Sequence, residues 1–485
     1  TRPYAPTFPV MARSVFRPEE HASQPREIAA AVEQLGAFAA ELTVQDVPER
    51  VRDALALIVM DTLGVGVAGG LTPELNQVRS AWTMPPGPTH LWGTSMRADV
   101  ATATLINGTA VCCLELDEGN KYARGHPAAH VVPVAVAVAE QLRCSGPRLL
   151  TAILAGYEVA TRFGRACVPR PGLHPHGNWG ATGAAAAVGV LYGLDAARLA
   201  AAIDSAGGLV LATGFESALA GSFVRNTWIG HAGVAGLTAA NLARAGLATV
   251  DGTAASTLGS LLGTIDAAQL VEDLGSRFDI TAGYAKRHAS CSYTHPPADA
   301  ALEIRAAHRD LALADIAEVV VETQRLAAPL SRVSVPTRLA AMFSIPYVVA
   351  VALREGACRP ASFDDEARRD PDLASLAAKV RVEHRPEFDQ RLPAERAARV
   401  QVRLRDGRQL TAEVPNPVGD AAYHPFGRPE IEAKLAHLLP AGLSDRVVAV
   451  ADDLWTAADA AEVLARLGEA TGSESIEVDH NRGLS

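Results

Sequence analysis

Apolar residues recur at helical spacing along most of the chain. Near its start, Ile28, Val32, Leu35 and Phe38 fall three or four residues apart and therefore share one face of a helix. Apolar runs with the length of a helix, rich in small residues and punctuated by glycine or proline, follow at residues 51–68, 101–114, 132–142, 148–167, 181–192, 196–206 and 232–245. Small side chains let such helices pack closely, so the pattern predicts a large all-α domain.

The pattern changes after about residue 285. Residues 316–323 read I-A-E-V-V-V-E-T, a strand-like run, and residues 399–414 alternate apolar and polar on either side of Asp406-Gly407, which predicts a hairpin. Helical runs lie between these strands, at 297–308 and 343–353. We therefore predict a mainly α protein with an extended arm (1–25), a large all-α helical domain (26–285), a smaller α+β domain (286–428) and C-terminal helices that return to the helical domain (429–475).

One polar stretch interrupts the apolar helices. Residues 115–130 read E-L-D-E-G-N-K-Y-A-R-G-H-P-A-A-H and lie between two apolar runs. The titratable side chains in this stretch are Glu115, Asp117, Glu118, Lys121, Arg124, His126 and His130. Burying so many ionisable groups without a purpose would be costly, so we interpret the stretch as one wall of an active site.

Three further polar islands lie along the chain. Residues 173–182, L-H-P-H-G-N-W-G-A-T, precede a helix, and helix N-termini favour anions. Residues 222–231 carry Arg225 in apolar surroundings, and residues 284–295 carry Lys286 at the predicted junction of the two domains, where small-molecule sites often lie. Each island also has a structural explanation: a histidine near a helix end is often a cap, and Arg225 could pair with a buried acid.

Two other kinds of site are suggested by residue spacing, and the neighbouring residues argue against both. His126 and His130 have the spacing of a metal-binding pair, but Pro127 follows the first histidine and the glutamate of H-E-x-x-H is absent, so no metal site is predicted. The glycine-rich segment at residues 206–215 is not G-x-G-x-x-G after a strand. The sequence therefore gives no sign of a dinucleotide site.

Composition narrows the class of protein. With 485 residues the chain is too long for a single core, in agreement with two domains. The net charge of −10 and the absence of a Lys/Arg cluster argue against a nucleic-acid partner. The six cysteines are scattered without a C-x-x-C pair, which favours a reducing, cytoplasmic setting. The longest purely apolar runs, near residues 181–192, are broken by glycine and fall short of the roughly 18 residues of a membrane span, so no membrane partner is predicted.

Six motifs in order resemble the MmgE/PrpD family, which includes 2-methylcitrate dehydratase, cis-aconitate decarboxylase and iminodisuccinate epimerase. They are D-T-L-G-V-G-V-A-G-G at 61–70, I-N-G-T-A at 106–110, G-H-P-A at 125–128, G-Y-E-V at 156–159, H-P-H-G-N-W-G at 174–180 and K-R-H-A-S-C-S-Y-T-H at 286–295. The resemblance covers about residues 27–470. It implies a large helical domain, a smaller α+β lid domain, a homodimer, and an active site between the domains that uses no metal or organic cofactor.

The resemblance also implies roles for single residues. The family's acidic position falls at Glu115 or Asp117, its two active-site histidines fall at His126 and His174, and its lysine falls at Lys286. The chain departs from members close to cis-aconitate decarboxylase at three positions, where Arg225 replaces lysine, Cys291 replaces histidine and Gln324 replaces an expected tyrosine. These departures leave the identity of the substrate open.

Together the four polar islands and the resemblance to the family predict a cofactor-independent lyase that dehydrates a small hydroxy-carboxylate. One histidine would take the α-proton and the other would protonate the departing hydroxyl, while arginine and lysine stabilise the enolate-like charge. The predicted catalytic residues are His126, His174, Asp117 and Lys286. The predicted substrate-binding residues are Glu115, Arg225, His176, Arg287, Cys291 and Gln324.

Four alternatives stay open at this point. A decarboxylase or an epimerase would use the same stabilised carbanion and protonate it elsewhere or on its other face. A metal hydrolase would use His126, His130 and His174 as ligands. A non-catalytic binding protein would keep the fold with an altered site. The sequence does not decide which of the two predicted histidines is the base.

Overall fold

Helices dominate the computed structural model, which describes residues 23–468. The helices of the N-terminal part are α1 Pro25–Glu41, α2 Glu49–Gly70, α3 Pro73–Ala81, α4 Val100–Cys113, α5 Pro127–Leu142, α6 Gly146–Ala166, α7 Gly180–Tyr192, α8 Ala196–Ala206, α9 Phe215–Leu219, α10 Val224–Arg244, α11 Thr253–Ser256 and α12 Ala267–Val271. The seven long helical runs and the helix at Ile28 are thus confirmed, with shifted ends except for the run at 196–206, which coincides with α8. The predicted arm at residues 1–25 lies almost wholly outside the described residues.

Two differences from the predicted helices affect the site. Helix α10 begins at Val224 rather than at residue 232, so Arg225 lies in its first turn. Helix α3 was not predicted from its weak apolar pattern. It begins at Pro73 behind Thr72, whose hydroxyl accepts a hydrogen bond from the Leu75 N–H at 3.4 Å.

Helix α7 occupies the centre of the helical part and contacts α5, α6, α8 and α10. Its close approach to α6 depends on two glycines. A Cβ atom at Gly183 would lie 2.3 Å from the Gly156 carbonyl oxygen, and one at Gly156 would lie 2.6 Å from the Gly183 carbonyl oxygen. The small residues read from the sequence therefore bring α6 and α7 into backbone contact, which fixes both helices firmly relative to each other.

The longer strands lie in the C-terminal part. The strands are β1 Thr89–His90, β2 Arg97–Ala98, β3 Gly119–Asn120, β4 Cys167–Pro169, β5 Gly263–Ile265, β6 Gly283–Tyr284, β7 Ile316–Thr323, β8 Val380–His384, β9 Ala398–Leu404 and β10 Gln409–Val414. The last four form a mixed sheet in the order β10-β9-β7-β8, in which only β7 and β8 are parallel. The predicted strand at 316–323 and the hairpin at 399–414 are confirmed, and Gly407 at the turn has φ of 90°.

The remaining helices cover this sheet or return to the helical part. They are α13 His295–Ala307, α14 Arg338–Met342, α15 Ile345–Glu355, α16 Asp365–Arg368, α17 Pro371–Ala377, α18 Pro386–Asp389, α19 Arg428–Leu438, α20 Leu443–Asp453 and α21 Ala460–Ala465. Helix α13 packs on β9 and β10, α15 on β8, α19 and α20 on α2, and α21 on α5. Residues 469–475 of the predicted C-terminal segment lie outside the described residues.

No single helix within residues 23–468 combines the length and the apolar character needed to cross a membrane. Helices α2 and α3 meet that criterion only when taken together, by length and composition alone, and they are bent by 71° where they join.

Candidate active site

A pair of short strands brings the polar stretch 115–130 next to the segment that carries Lys286. Helix α4 ends at Cys113, and Glu115 then adopts a left-handed conformation with φ of 52° that turns the chain sharply. Gly119 then pairs with Tyr284, and Asn120 pairs with Gly283, as β3 and β6. Residues more than 160 positions apart in sequence therefore form one buried site, which local patterns alone could not predict.

Two acidic and two basic side chains form the charged part of the site. Lys286 Nζ lies 3.3 Å from Glu115 Oε2 and 3.2 Å from Asp117 Oδ1, while Arg225 Nη1 donates to Glu115 Oε1. All four side chains are at most 2 % exposed. Because each charge has a partner of opposite sign, the cluster is close to neutral as a unit.

The pKa values follow from this pairing. Burial lowers the pKa of Lys286, but the carboxylates of Asp117 and Glu115 outweigh burial and raise it above its usual value. Burial likewise raises the pKa of Asp117, but the neighbouring positive charges of His126, Lys286 and Arg225 bring it below the ordinary range. The lysine is therefore charged and the aspartate ionised at neutral pH.

His126 is held in one tautomer. It directly precedes the first residue of α5 without capping the helix through its side chain, and its Nδ1 lies 2.5 Å from the Glu118 carbonyl oxygen. Because that oxygen can only accept, Nδ1 carries the proton and Nε2 is left as an acceptor. Asp117 Oδ2 lies 3.0 Å from the same Nδ1 but accepts no hydrogen bond from the described residues, so its contact with the ring is electrostatic. Burial lowers the pKa of His126, which keeps it neutral near pH 7.

His174 has the opposite tautomer. Its Nδ1 accepts the backbone N–H of His176 at 3.1 Å, so the proton lies on Nε2. The loop is fixed by Thr213, whose hydroxyl donates to the carbonyl oxygens of both histidines at 3.0 and 2.9 Å. The ring stacks on Phe215 with centroids 5.3 Å apart and meets Trp228 at 5.4 Å. Burial lowers the pKa of His174 well below the usual value.

His176 lies between the two predicted catalytic histidines. Its ring centroid is 4.9 Å from that of His126 and 4.4 Å from that of His174, edge-on in both cases. Its Nδ1 is buried and has no hydrogen-bond partner among the described residues. A buried polar atom without a partner is costly, so this nitrogen is available for a bound molecule.

Arg225 has one occupied edge and one open edge. Nη1 binds Glu115 and lies 3.3 Å from Asn226 Oδ1, whereas Nε is buried without a partner among the described residues. The guanidinium carbon lies 5.0 Å from the centre of the Phe343 ring, which holds the group in place. The Nε side of the guanidinium can therefore bind a carboxylate in the two-point geometry typical of arginine.

The other predicted site residues divide into two groups. Cys291 is buried beside the charged cluster, and burial, followed by the charge of Glu115, raises the pKa of its thiol to about 11. Arg287 is not brought to the cluster: its exposed side chain lies 3.4 Å from Asp299 Oδ1. Gln324 is buried, but its side-chain oxygen accepts the Leu326 N–H at 2.5 Å within its own turn. The expected substrate contact of Arg287 therefore has no geometric support, and that of Gln324 stays a prediction that depends on its amide nitrogen.

His130 has both ring nitrogens engaged in the backbone. Nδ1 donates to the His126 carbonyl oxygen at 2.8 Å, and Nε2 accepts the Gly177 N–H at 3.4 Å. Burial lowers the pKa of His130 to about 4. Within residues 23–468, no three or more His, Cys, Asp or Glu side chains are arranged to hold a metal ion.

Glu118, Tyr157 and Lys434 also belong to the site, although the sequence assigned them no role within it. Glu118 accepts the Tyr157 hydroxyl at 2.6 Å and the Ala128 N–H at 3.0 Å, and burial raises its pKa to about 8. Lys434 reaches from α19 to the Leu116 carbonyl oxygen at 2.7 Å and to Asp61 at 2.7 Å. The G-Y-E-V motif was a signal for Tyr157, but the sequence held none for Lys434.

Comparison with known proteins agrees with the family that the motifs resemble. The model of the MmgE/PrpD N-terminal domain matches residues 33–278, and that of the C-terminal domain matches residues 288–460. The cis-aconitate decarboxylase of Aspergillus terreus (strain NIH 2624 / FGSC A1156) is 27% identical over 79% of this chain and 84% of its own length. The human cis-aconitate decarboxylase is 27% identical over 76% of this chain and 80% of its own length. The mouse enzyme is 28% identical over 68% of this chain and 71% of its own length. Because the two domain models together match most of the sequence, the chain belongs to the MmgE/PrpD family.

Proposed function

We propose that this protein is a cofactor-independent lyase that removes water from a small hydroxy-carboxylate. The observation that carries the proposal is the state of His126: neutral, protonated on Nδ1, and with Nε2 free to accept a proton. A reaction that begins with loss of an α-proton needs such a base. Family membership and the enzymes among its relatives support catalysis rather than binding alone.

The cluster is also suited to stabilise the two charges that form when His126 accepts the proton. His126 becomes an imidazolium whose charge is stabilised by Asp117 at 3.0 Å. The electrons left on the α-carbon spread into the substrate carboxylate, whose negative charge increases. The open edge of Arg225 and the ammonium of Lys286 are suited to stabilise that charge in a site from which water is excluded.

Elimination is then completed without a further reagent. The bond from the β-carbon to the hydroxyl oxygen breaks as the double bond forms, and the leaving oxygen accepts a hydrogen bond from Nε2–H of His174. The imidazolium of His126 returns its proton to that oxygen, which departs as water. Substrate and product therefore differ by one water, and the enzyme ends in its initial protonation state.

Decarboxylation is the second candidate because the named relatives are cis-aconitate decarboxylases. That reaction needs a group that donates a proton to the carbanion after carbon dioxide leaves. Burial lowers the pKa values of both His126 and His174, so neither histidine is the cationic donor at neutral pH in the free site, and the Lys286 ammonium would have to supply that proton. This favours dehydration as the first candidate.

Substrate access requires the site to open, and we propose that the α+β part acts as the lid. The burial of all four charged side chains supports this proposal. Lys121, in the same wall as His126, binds Asp420 at 2.9 Å and the Ala394 carbonyl oxygen at 2.9 Å. These contacts join residues 115–130 to the C-terminal part, so they would have to break as the site opens.

Mass spectrometry on a panel of hydroxy di- and tricarboxylates and unsaturated tricarboxylates tests the proposal. The purified chain is incubated with each compound, with and without EDTA. Loss of water that persists in EDTA supports the dehydratase. Loss of carbon dioxide would select the second candidate instead. No change in mass with any compound, together with no exchange of the α-proton in deuterated water, would contradict both.

A further inference from the structure

Two adjacent residues of α6 bind the two segments that carry the site. Tyr157 binds Glu118, in the segment that contains His126. Glu158 binds the backbone of Asp279 and Ile280, in the segment that leads to Lys286. Both are fully buried, and neither touches the charged cluster directly. We infer that Tyr157 is a positioning residue for His126 and that Glu158 is a positioning residue for Lys286. The inference rests on the proposed function, because it assigns His126 to proton transfer and Lys286 to binding of the substrate carboxylate.

The first link runs from Tyr157 through Glu118 to the imidazole. The Tyr157 hydroxyl donates to Glu118 Oε1 at 2.6 Å, and Glu118 Oε2 accepts the Ala128 N–H at 3.0 Å, in the first turn of α5. The carboxyl group is thus held from two sides. The carbonyl oxygen of the same residue, Glu118, fixes the Nδ1 proton of His126 at 2.5 Å. Tyr157 therefore acts on the orientation and tautomer of the base.

The second link runs from Glu158 to the segment before Lys286. Its two carboxyl oxygens accept the backbone N–H groups of Asp279 and Ile280, each at 2.9 Å. The chain then continues through Gly283–Tyr284, the strand that pairs with Gly119–Asn120, and reaches Lys286. Glu158 therefore sets the position from which the lysine extends into the cluster.

Helix α6 is well suited to this task because it is itself held rigidly. It packs on α7 through the contact of Gly156 with Gly183, and Gly156 directly precedes Tyr157. One turn further on, Arg162 donates to the carbonyl oxygens of Glu272 at 2.8 Å and Arg277 at 3.0 Å, in the same segment that Glu158 holds. Helix α6 thus fixes the segment that contains His126 and the segment that leads to Lys286 relative to each other.

Three single substitutions separate the two links. Tyr157→Phe removes only the hydroxyl, and Glu158→Gln leaves one acceptor for two N–H groups. Thr161→Val is the matched control, because its buried hydroxyl donates to the Tyr157 carbonyl oxygen at 2.8 Å on the same helix and contacts neither side of the site. We expect Y157F to lower kcat about tenfold while KM stays within about twofold. E158Q should raise KM roughly five- to tenfold with a smaller change in kcat. The control T161V should change neither constant by more than about twofold.

A measurement without substrate keeps this test independent of the proposed reaction. In protein labelled with ¹⁵N-histidine, NMR should assign the wild-type His126 ring to the Nδ1–H tautomer, and Y157F should give a mixture of tautomers while T161V does not. Glu118→Asp, which shortens the same link by one methylene, should reproduce the effect of Y157F and serves if that variant does not fold. An unchanged tautomer in both Y157F and E118D, or equal effects of T161V and Y157F, would overturn the inference.

Discussion

Asp117 Oδ2 lies 3.0 Å from Nδ1 of His126, yet the ring proton points to the Glu118 carbonyl oxygen at 2.5 Å. The tautomer is therefore set by a backbone acceptor, and the carboxylate acts as a negative charge beside the ring. This arrangement has a consequence for pH dependence. Removing the charge should leave the tautomer in place while it destabilises the imidazolium formed during catalysis.

Asp117→Asn tests that consequence. We expect kcat to fall by about tenfold to a hundredfold, because the imidazolium loses roughly 1–3 kcal/mol of stabilisation. Since a less stable imidazolium means a lower pKa of His126, the acidic limb of the kcat/KM profile should move to lower pH. Steady-state kinetics across the pH range check both effects. A limb that moves to higher pH would show that Asp117 does not act through the charge of His126.

Arg225→Lys tests the open edge of the guanidinium. Lysine keeps the positive charge but loses the second donor, so we expect KM to rise by about tenfold with kcat less affected. The control is a substrate analogue in which the carboxylate bound there is replaced by an amide. The substitution should weaken binding of this analogue much less. Equal effects on both compounds would place the carboxylate elsewhere in the site.

Acid should destabilise the fold through His130. Its pKa of about 4 in the folded chain lies below the ordinary value of 6.5, so the unfolded chain binds the proton more readily between these two pH values. Stability therefore falls as pH drops through that window, by about 2 kcal/mol between pH 7 and pH 5 for this group alone. Urea unfolding of the wild type and of His130→Gln measures the difference, and the variant should show the weaker pH dependence. Parallel pH curves for the two proteins would contradict this assignment.

Gly183→Ala should destabilise the helical part. The added Cβ would meet the Gly156 carbonyl oxygen at 2.3 Å, and backbone cannot move aside as a flexible side chain can. We expect a loss of about 1–3 kcal/mol of unfolding free energy and a lower Tm. Gly214→Ala is the matched control, since a Cβ there meets nothing within 4 Å. A Tm for G183A equal to that of G214A would contradict the prediction, because it would mean that α6 and α7 can move apart without a loss of unfolding free energy.

Local patterns predicted the elements that are decided locally. The alternation in Ile316–Thr323 and the apolar periodicity of Ala196–Ala206 gave these elements with their observed ends. The first turns of α10 were missed because Arg225 and Asn226 interrupt its apolar pattern, although their side chains are buried by contacts made far along the chain. Lys434 could not be found at all, since its partners are more than 300 residues away in sequence.

The candidate site was predictable to a similar extent. The motifs identified side chains that lie in or beside the charged cluster, including His126, His174 and Lys286, because each lies in a polar island within an apolar chain. They could not separate Lys286 from its neighbour Arg287, which turns outward to Asp299. They also gave no tautomers, because these depend on backbone acceptors and donors such as the Glu118 carbonyl oxygen.

The central claim is that His126 removes the α-proton. Its most direct test is the loss of α-deuterium from a labelled hydroxy-carboxylate substrate in a single turnover, followed by mass spectrometry for the wild type, His126→Gln and the control His231→Gln, whose side chain is exposed on α10. The proposal predicts that the wild type and H231Q release the deuterium together with water, and that H126Q releases neither. Release of deuterium by H126Q at the wild-type rate would contradict it.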